Sequence, residues 1–249
     1  MGIVITVTSG KGGTGKTSIT GGVAACLAEI GRKVLCIDMD IGLRNLDIAL
    51  GLNDRALMDF SDVALGRCPL ARAAVEHPDI KGLSLLSSPM SLPANLTTDS
   101  VRNMLRTARE LYDYIFIDSP AGLGTGFHLA TCDCDRVLVV ATNDATSLRD
   151  AQRTVLQLDH ISTVHLIMNR IQPQLLRKLR TTIDDAMNTA GLPLIGVVPE
   201  DVHVMLCANQ GQPLISRGKR GAAMACFNIA NRLEGYYVPI MRIRKHGIY

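Results

Sequence analysis

The chain has 249 residues, of which 47% are hydrophobic and 20% charged, which indicates a folded protein of one or two domains and excludes a largely disordered one. No apolar run approaches the roughly 18 residues of a membrane-spanning helix, and residues 1–9 show no basic segment or cleavage site, so we expect neither a transmembrane helix nor a secretory signal. The net charge is +3 at pH 7, and residues 238–249 alone account for it through Arg242, Arg244 and Lys245, which argues against a protein that binds nucleic acid over most of its surface.

Seven short apolar runs alternate with helical segments along the chain. Most of the runs are continuously apolar, which is typical of strands buried on both faces. They cover Ile3–Thr8, Val34–Ile37, Leu83–Ser87, Tyr114–Ile117, Val137–Ala141, Val164–Met168 and Leu194–Val198. An amphipathic segment runs from Leu148 to Leu158, and Ser147 with Asp150 predicts a capping box at its start. The pattern predicts an α/β fold with a mostly parallel, twisted sheet of about seven or eight strands and helices on both faces.

A glycine-rich loop follows the first predicted strand. Residues 10–17 read GKGGTGKT and precede the helical stretch Ser18–Ile30, so the pattern G-x-x-x-x-G-K-[ST] stands in the strand–loop–helix context that it requires. Such a loop wraps backbone N–H groups around phosphate oxygens at the positive end of a helix. We expect Lys16 to contact the β- and γ-phosphates and the Thr17 hydroxyl to ligate Mg²⁺. The predicted nucleotide contacts on this segment are Gly12, Gly13, Thr14, Gly15, Lys16, Thr17 and Ser18.

Lys11 is a second lysine within the same loop. It cannot share the phosphate oxygens of Lys16 without steric and charge conflict. We therefore expect it to reach a phosphate across a dimer interface, as an arginine finger acts in trans. The alternative is a solvated lysine at the rim of the loop.

Three aspartates lie where predicted strands end. Asp38 and Asp118 directly follow their strands, so both should lie at the sheet edge beside the phosphate loop, and Asp40 can orient an attacking water. Mg²⁺ prefers oxygen ligands and keeps several waters, which suits carboxylates at this edge. A helix cap or a turn is the alternative for any one of them. The predicted catalytic residues are Lys11, Lys16, Asp40 and Asp118, and the predicted metal contacts are Thr17, Asp38, Asp40 and Asp118.

The loop and five further segments resemble the MinD/ParA family of ATPases, whose signature lysine acts across a nucleotide-sandwich dimer. Besides residues 11–17, the similar segments are 38–47 (DMDIGLRNLD), 118–122 (DSPAG), 147–150 (SLRD), 169–170 (NR) and 195–201 (IGVVPED). The resemblance covers roughly residues 2–239. It implies a three-layer P-loop NTPase fold, a slow, partner-stimulated ATPase that uses ATP and Mg²⁺, and an ATP-dependent homodimer. It also assigns adenine recognition to Asn169, Arg170, Pro199, Glu200 and Asp201.

Residues 38–47 resemble the division-site branch of this family more than its plasmid-partition branch. The implied function is to position the cell-division septum, with a MinC-like division inhibitor and a MinE-like or other topological factor as partners. The helix that begins at Ser147 is the expected docking surface, and an ordinary solvated helix face is the alternative. The implied location is cytoplasmic, and at the inner face of the cell membrane when ATP is bound.

The sequence divides into an expected ATPase domain over residues 1–237 and a short basic tail over residues 238–249. Cations and apolar residues in the tail suit an anionic membrane surface, although Pro239 and Gly247 leave only a short segment between them. A single tail would bind weakly, so dimerisation would have to supply avidity. A solvated or dimer-packed tail is the alternative.

Two related functions share the same ATPase chemistry. Residues 177–180 (RKLR) and 217–220 (RGKR) would contact DNA phosphates in a ParA-like segregation ATPase, although the neutral body of the chain and residues 38–47 argue against it. A relative that sets flagellar number would differ only in its partners. A scaffold with an inactive nucleotide site would be expected to lack some of the catalytic residues that this chain retains.

The seven cysteines are scattered singly, apart from Cys132 and Cys134. This distribution indicates reduced thiols in a cytosolic protein rather than a disulfide framework. Iron–sulfur relatives share this type of fold, but we expect Cys132 and Cys134 to be ordinary buried thiols.

Overall fold

The computed structural model describes residues 1–53 and 55–241, and its centre is a sheet of eight strands. The strands are β1 (Ile3–Thr8), β2 (Val34–Asp38), β3 (Val75–Glu76), β4 (Leu83–Leu86), β5 (Tyr114–Asp118), β6 (Arg136–Ala141), β7 (Val164–Ile171) and β8 (Leu194–Pro199). Their order across the sheet is β3-β4-β2-β5-β1-β6-β7-β8. Every neighbouring pair is parallel except β3 with β4. The α/β fold with a mostly parallel sheet is therefore confirmed.

Helices connect the strands and cover the sheet. They are α1 (Lys16–Glu29), α2 (Asn45–Leu50), α3 (Phe60–Ala64), α4 (Leu70–Ala73), α5 (Thr98–Leu111), α6 (Thr125–Thr131), α7 (Ala145–Val155), α8 (Pro173–Leu179), α9 (Ile183–Ala190), α10 (Val202–Asn209) and α11 (Gly221–Leu233), with a short 3₁₀ helix at Leu214–Arg217. Within residues 1–53 and 55–241, no helix combines the length and the apolar content needed to cross a membrane.

Side chains of the central strand β1 alternate between two cores. Ile5 and Val7 pack in the core that α1 and α11 cover, whereas Val4 packs in the core that contains Leu105 and Ala108 of α5. All five side chains are fully buried. A strand with apolar residues on both faces is the reason for the continuous apolar run in the sequence, and it places helices on both sides of the sheet.

The predicted strands are all present, and their ends differ from the prediction by at most three residues. The largest difference is at β7, which continues past Met168 to Ile171. Sequence analysis does not predict β3, because a strand of two residues is too short to show a hydrophobic pattern. β3 pairs antiparallel with β4 at the edge of the sheet.

The capping box predicted at Ser147 and Asp150 is wrong. α7 begins at Ala145, and its N-cap is Asp144, whose Oδ1 accepts a hydrogen bond of 2.9 Å from the backbone N–H of Ser147. Ser147 lies in the first turn, where its Oγ accepts a hydrogen bond of 3.0 Å from the backbone N–H of Thr142. Aspartate caps a helix as well as serine does, so the earlier capping residue starts this helix.

Candidate functional site

The loop between β1 and α1 forms one end of a cavity of about 780 Å³. α1 begins at Lys16, two residues earlier than predicted, and its N-cap is Gly15, so none of the described side chains caps it. A helix start of this kind offers backbone N–H groups to an anion. Lys16 lines the cavity and is only 6% exposed, so its ammonium group can neutralise negative charge there.

Asn169 supports the phosphate loop from β7. Its Nδ2 donates a hydrogen bond of 2.8 Å to the carbonyl oxygen of Thr14. A Cβ on Gly15 would lie 2.3 Å from the same Nδ2, and Gly15 has a φ of +91°. Glycine is therefore required at this position both for the left-handed backbone and for the close approach of the amide. The structure gives Asn169 a contact with the loop that sequence analysis did not predict, while its adenine contact stays a prediction.

Thr17 and Asp118 are in direct contact at the start of α1. The hydroxyl of Thr17 donates a hydrogen bond of 2.6 Å to Oδ2 of Asp118, and the hydroxyl of Thr20 lies 3.3 Å from Oδ1. Burial raises the pKa of Asp118 to about 7, although the bond from Thr17 and the charge of Lys16 oppose that rise. Sequence analysis missed Thr20, which helical spacing from Thr17 would have placed on the same side of α1.

Asp38 and Asp118 lie side by side at the ends of the neighbouring strands β2 and β5, where their Cα atoms are partners in the register. Oδ1 of Asp38 accepts a hydrogen bond of 2.9 Å from the N–H of Asp40, and Oδ2 accepts one of 3.2 Å from the N–H of Leu46. Burial raises the pKa of Asp38 to about 6, and these two bonds oppose the rise. Asp38 therefore fixes the segment that follows β2, and it does not line the cavity.

Asp40 does line the cavity, as Lys16 does. Burial raises the pKa of Asp40, and the positive charge of Lys16 only partly opposes that rise. Because its backbone N–H is bonded to the buried Asp38, the backbone of Asp40 is fixed at the point where the residue lines the cavity. A carboxylate held in this way can orient a polar molecule beside the phosphate loop.

Lys11 makes its contacts within its own chain. Its Nζ lies 3.0 Å from Oγ1 of Thr146 and 3.3 Å from Oδ1 of Asp144 at the start of α7. Burial raises the pKa of Asp144, but hydrogen bonds from Thr142, Thr146, the N–H of Ser147 and Lys11 together lower it well below its usual range. Lys11 and Asp144 are each about half exposed, so the ion pair can open at little cost.

The far end of the cavity is largely apolar. Its wall is formed by Val198, Val202, Val204, Met205, Ala208 and Leu214. Sequence analysis missed this wall, because the apolar residues of α10 match no motif. Val202 and Met205 are 57% and 60% exposed, so two apolar side chains line an open cavity instead of a core. An apolar slot of this kind suits the flat face of a base.

Arg170 and Glu200 join the two ends of the cavity. Nε of Arg170 lies 2.8 Å from Oε2 of Glu200, and Nη1 of Arg170 donates to the carbonyl oxygen of Gly13 at 3.5 Å. Arg170 has a φ of +56°, which is uncommon for a residue other than glycine. The ion pair thus connects the end of β7 with the end of β8 and with the phosphate loop.

Asp201 is bonded to two helix starts. Its Oδ1 accepts a hydrogen bond of 2.9 Å from the N–H of His203 in α10, and its Oδ2 accepts one of 2.9 Å from the N–H of Ala222 in α11. Burial raises the pKa of Asp201, but these bonds lower it overall. The carboxylate is thus engaged in holding α10 against α11, and an adenine contact by Asp201 stays a prediction from resemblance.

Most of the predicted site residues surround one cavity. Those that line it are Gly12, Gly13, Gly15, Lys16, Thr17, Ser18, Asp40, Asn169, Arg170, Pro199, Glu200 and Asp201. Lys11, Thr14, Asp38 and Asp118 lie beside these residues without lining the cavity. Leu43, Asn45 and Ala121 also line it, although sequence analysis did not select them.

The cysteines form no disulfide in the described residues, and all seven are free. Burial raises the pKa of Cys132 to about 11 and that of Cys134 to about 12, so both are neutral thiols near pH 7. No group of three or more His, Cys, Asp or Glu side chains within residues 1–53 and 55–241 is arranged to hold a metal ion.

Comparison with known proteins defines the class to which this site belongs. Residues 5–214 match the family model of the CobQ/CobB/MinD/ParA nucleotide binding domain. The chain is 40% identical to the septum site-determining protein MinD of Helicobacter pylori, over 100% of this chain and 97% of that protein. It is 36% identical to the protein of the same name from Bacillus subtilis, over 99% of this chain and 94% of that protein.

Solved structures of the same kind have a similar fold. A structure of the MinC:MinD cell division protein complex of Aquifex aeolicus superposes with a TM-score of 0.89 at 34% identity, covering 96% of this chain and 99% of that chain. MinD of Pyrococcus horikoshii complexed with Mg-ADP gives a TM-score of 0.81 at 26% identity, covering 94% and 96%. The protein is thus a nucleotide-binding P-loop ATPase with an α/β fold. The chain belongs to the MinD family of septum site-determining proteins.

Proposed function

We propose that this chain is an ATP-driven switch that positions the division septum by forming and dissolving a dimer. The observation that carries this proposal is the two-lysine phosphate loop, in which Lys16 lies in the cavity while Lys11 points to α7 at the surface. One nucleotide in one chain needs Lys16 alone. A second, half-exposed lysine on the same loop is available to a nucleotide held by another copy of the chain.

The lining of the cavity supports ATP with a divalent cation as the proposed ligand. The volume of the cavity is in the range of small-molecule sites, with cationic and N–H groups at one end and an apolar slot at the other. The Thr17 hydroxyl and the carboxylate of Asp118 are the oxygen donors that Mg²⁺ prefers, and Asp38 would act through water. Bound Mg²⁺ would neutralise charge on the phosphate oxygens. The Mg-ADP in the Pyrococcus horikoshii relative supports this choice of ligand.

Three side chains of this protein would have different roles in hydrolysis. Lys16 would stabilise charge that develops on the transferred phosphoryl group, and Lys11 from a second copy would add to it once a dimer has formed. Asp40 would orient the attacking water from the same cavity. Hydrolysis would be slow in the monomer, because there Lys11 contacts Asp144 and Thr146 of its own chain and no second copy supplies a lysine to the phosphates.

The proposed partners act on the ATP-bound dimer. The MinC:MinD complex of Aquifex aeolicus supports a MinC-like division inhibitor as one partner, and the start of α7 is the proposed docking surface. A MinE-like or other topological factor would stimulate hydrolysis. The proposed location is the cytoplasm, with binding to the inner face of the cell membrane in the ATP state through residues 238–249, of which residues 242–249 lie outside the described part of the chain.

Light scattering with ATP and with ADP tests the switch. The mass should double with ATP and stay that of a monomer with ADP. Lys11→Ala should prevent the doubling, whereas Lys81→Ala on the surface should not.

Sedimentation with anionic vesicles, with the intact chain and with one truncated after Pro239, then tests the membrane step. A mass that is independent of nucleotide would refute the dimer switch. ATP-dependent dimers that do not sediment with the vesicles would refute only the membrane step.

A further inference from the structure

Helix α8 has an outer face that is exposed to solvent. Pro173 and Leu176 are on its inner side, where they line an apolar groove beside the edge strand β8. Leu175, Lys178 and Leu179 are on the opposite side, at the i, i+3 and i+4 spacing that places residues on one helix face. Leu175 and Leu179 are 41% and 49% exposed, so this short helix presents two large apolar side chains to solvent beside a lysine.

The same helix and the turn after it carry positive charge. Residues 172–182 read QPQLLRKLRTT and contain no Asp or Glu. The three cations in this segment are Arg177, Lys178 and Arg180, and all three are exposed. Within residues 1–53 and 55–241, none of them is paired with a carboxylate. Their charge is therefore available to an anionic partner.

The acidic residues on the elements next to α8 are engaged or lie on its inner side. Oδ2 of Asp185 accepts hydrogen bonds of 2.8 Å from the N–H and from the hydroxyl of Thr182 at the start of α9. Asp184 lines the groove on the inner side of α8. Glu200, at the end of β8, is paired with Arg170. The outer face of α8 thus has a net positive charge.

The last described residues of the chain lie beside this helix. Nε and Nη2 of Arg232 donate hydrogen bonds of 3.0 and 2.8 Å to the carbonyl oxygens of Val238 and Pro239. The two residues that follow Pro239 line the groove together with Leu176 of α8. The segment 238–249, which the proposed function assigns to the membrane, therefore passes α8 before it leaves the described part of the chain.

We propose that the outer face of α8 is a second contact with an anionic lipid bilayer, next to the tail. The three cations would bind headgroup phosphates, and Leu175 and Leu179 would enter the boundary between headgroups and acyl chains. The exposed leucines favour a bilayer over nucleic acid, whose phosphates would use the cations alone. A second contact in each chain of a dimer would strengthen a tail that binds weakly by itself. This inference rests on the membrane step of the proposed function.

Leu175→Trp tests the contact directly, because the sequence contains no tryptophan whose emission would interfere. With ATP, Mg²⁺ and vesicles of phosphatidylglycerol and phosphatidylcholine, the emission should shift to shorter wavelength and should be quenched by lipids with brominated acyl chains. Leu111→Trp, at a leucine of 46% exposure at the end of α5, is the matched control and should not respond.

The outcomes separate this inference from the function on which it rests. Unchanged emission of Leu175→Trp in protein that sediments with the vesicles would overturn the contact by α8 and leave the membrane step standing. A chain that forms dimers with ATP but does not sediment with the vesicles would overturn both.

Vesicle affinity in ATP tests the cations. Arg177→Gln/Lys178→Gln should lower it about tenfold or more, because each cation near an anionic surface contributes roughly fivefold. Lys33→Gln/Lys81→Gln removes two exposed cations elsewhere and should change it less than about twofold. Both double variants should still dimerise with ATP, since neither changes a residue that lines the nucleotide cavity.

Two results would count against a role of these cations at the membrane. Equal vesicle affinities of the two double variants would overturn the proposal. A loss of affinity for a DNA duplex that exceeds the loss for vesicles would also overturn it, and would assign the cations to nucleic acid instead.

Discussion

The hydroxyl of Thr17 donates a hydrogen bond of 2.6 Å to the carboxylate of Asp118, across 101 residues of sequence. The bond joins the first turn of α1 to the end of β5, the strand next to β1 in the sheet. Two motif residues that are far apart in sequence are thus in direct contact. Because Asp118 is 1% exposed, this hydroxyl is one of few groups that can stabilise its charge.

Replacing Asp118 should remove the Mg²⁺-dependent part of nucleotide affinity. With Asp118→Asn, the amide cannot supply an anionic oxygen, so we expect ADP affinity in Mg²⁺ to fall about 10- to 100-fold, the usual cost of weakening a metal's support. Affinity in EDTA should change little. Calorimetric titration in both conditions measures this difference. Asp113→Asn, just before the same strand, is the matched control, and a Mg²⁺ effect that survives in Asp118→Asn would contradict the assignment.

Replacing Asp40 should separate binding from hydrolysis. Asp40→Ala keeps Lys16 and the phosphate loop, so ATP affinity and ATP-dependent dimers should be preserved. Turnover should fall about 100-fold or more, because the water loses the carboxylate that orients it. Phosphate release and light scattering on the same sample check both halves. Asp159→Ala should behave like the unaltered chain, and normal turnover in Asp40→Ala would exclude Asp40 from the mechanism.

The sequence could predict the phosphate-binding end of the site because its residues are local. The loop, Lys16 and Thr17 follow one strand directly, and parallel strands bring Asp38 and Asp118 to the same edge whatever the connections between them. The fold class followed from the same continuous apolar strands. These features depend on short-range pattern and on one rule of sheet topology.

The remaining contacts depend on packing that no local pattern contains. Lys11 pairs with Asp144 across 133 residues, and Asn169 reaches Thr14 across 155. The carboxylate of Asp201 binds N–H groups at the starts of both α10 and α11, because the two helices start beside each other. The correct cap of α7 was missed because aspartate and serine are equally good caps, and the sequence offers both within four residues.

Gly15 should be far less tolerant of substitution than another glycine with the same backbone. Gly15 and Gly31 have φ values of +91° and +93°. A Cβ on Gly15 would lie 2.3 Å from Nδ2 of Asn169, whereas a Cβ on Gly31 would have no atom within 4 Å. Gly31→Ala should therefore cost only about 1–2 kcal/mol of unfolding free energy, from the left-handed backbone. Gly15→Ala should cost more and should also displace Asn169, which breaks its bond to the loop.

Urea unfolding together with ADP titration distinguishes these two variants. Gly31→Ala should keep normal ADP affinity, and Gly15→Ala should lose at least tenfold, because Thr14 and Asn169 no longer hold the loop in shape. Equal losses of stability and of affinity in the two variants would mean that the contact with Asn169 has no consequence.

His77 should contribute a loss of stability in mild acid. Its Nδ1 accepts hydrogen bonds of 3.1 and 3.0 Å from the N–H groups of Asp79 and Ile80, so the ring proton must be on Nε2, which lies 3.0 Å from the carbonyl oxygen of Leu50. A second proton on Nδ1 would break both accepted bonds. Burial lowers the pKa of His77, and the bond to Leu50 and the charge of Asp79 only partly oppose that shift.

The direction of this pH effect on stability follows from comparing how readily His77 takes up a proton in the folded and in the unfolded chain. An unfolded histidine takes up a proton near pH 6.5, whereas folded His77 resists it, so the unfolded state binds more protons and stability falls as the pH drops below about 6.5. The slope for one such group is at most about 1.4 kcal/mol per pH unit. Thermal unfolding at pH 7.5, 6.5 and 5.5 should show a smaller loss in acid for His77→Gln than for the unaltered chain, even if the variant starts from a lower Tm. His160→Gln, which changes an exposed ring, should keep the original slope. Identical slopes in His77→Gln and the unaltered chain would show that His77 is not the group that senses acid.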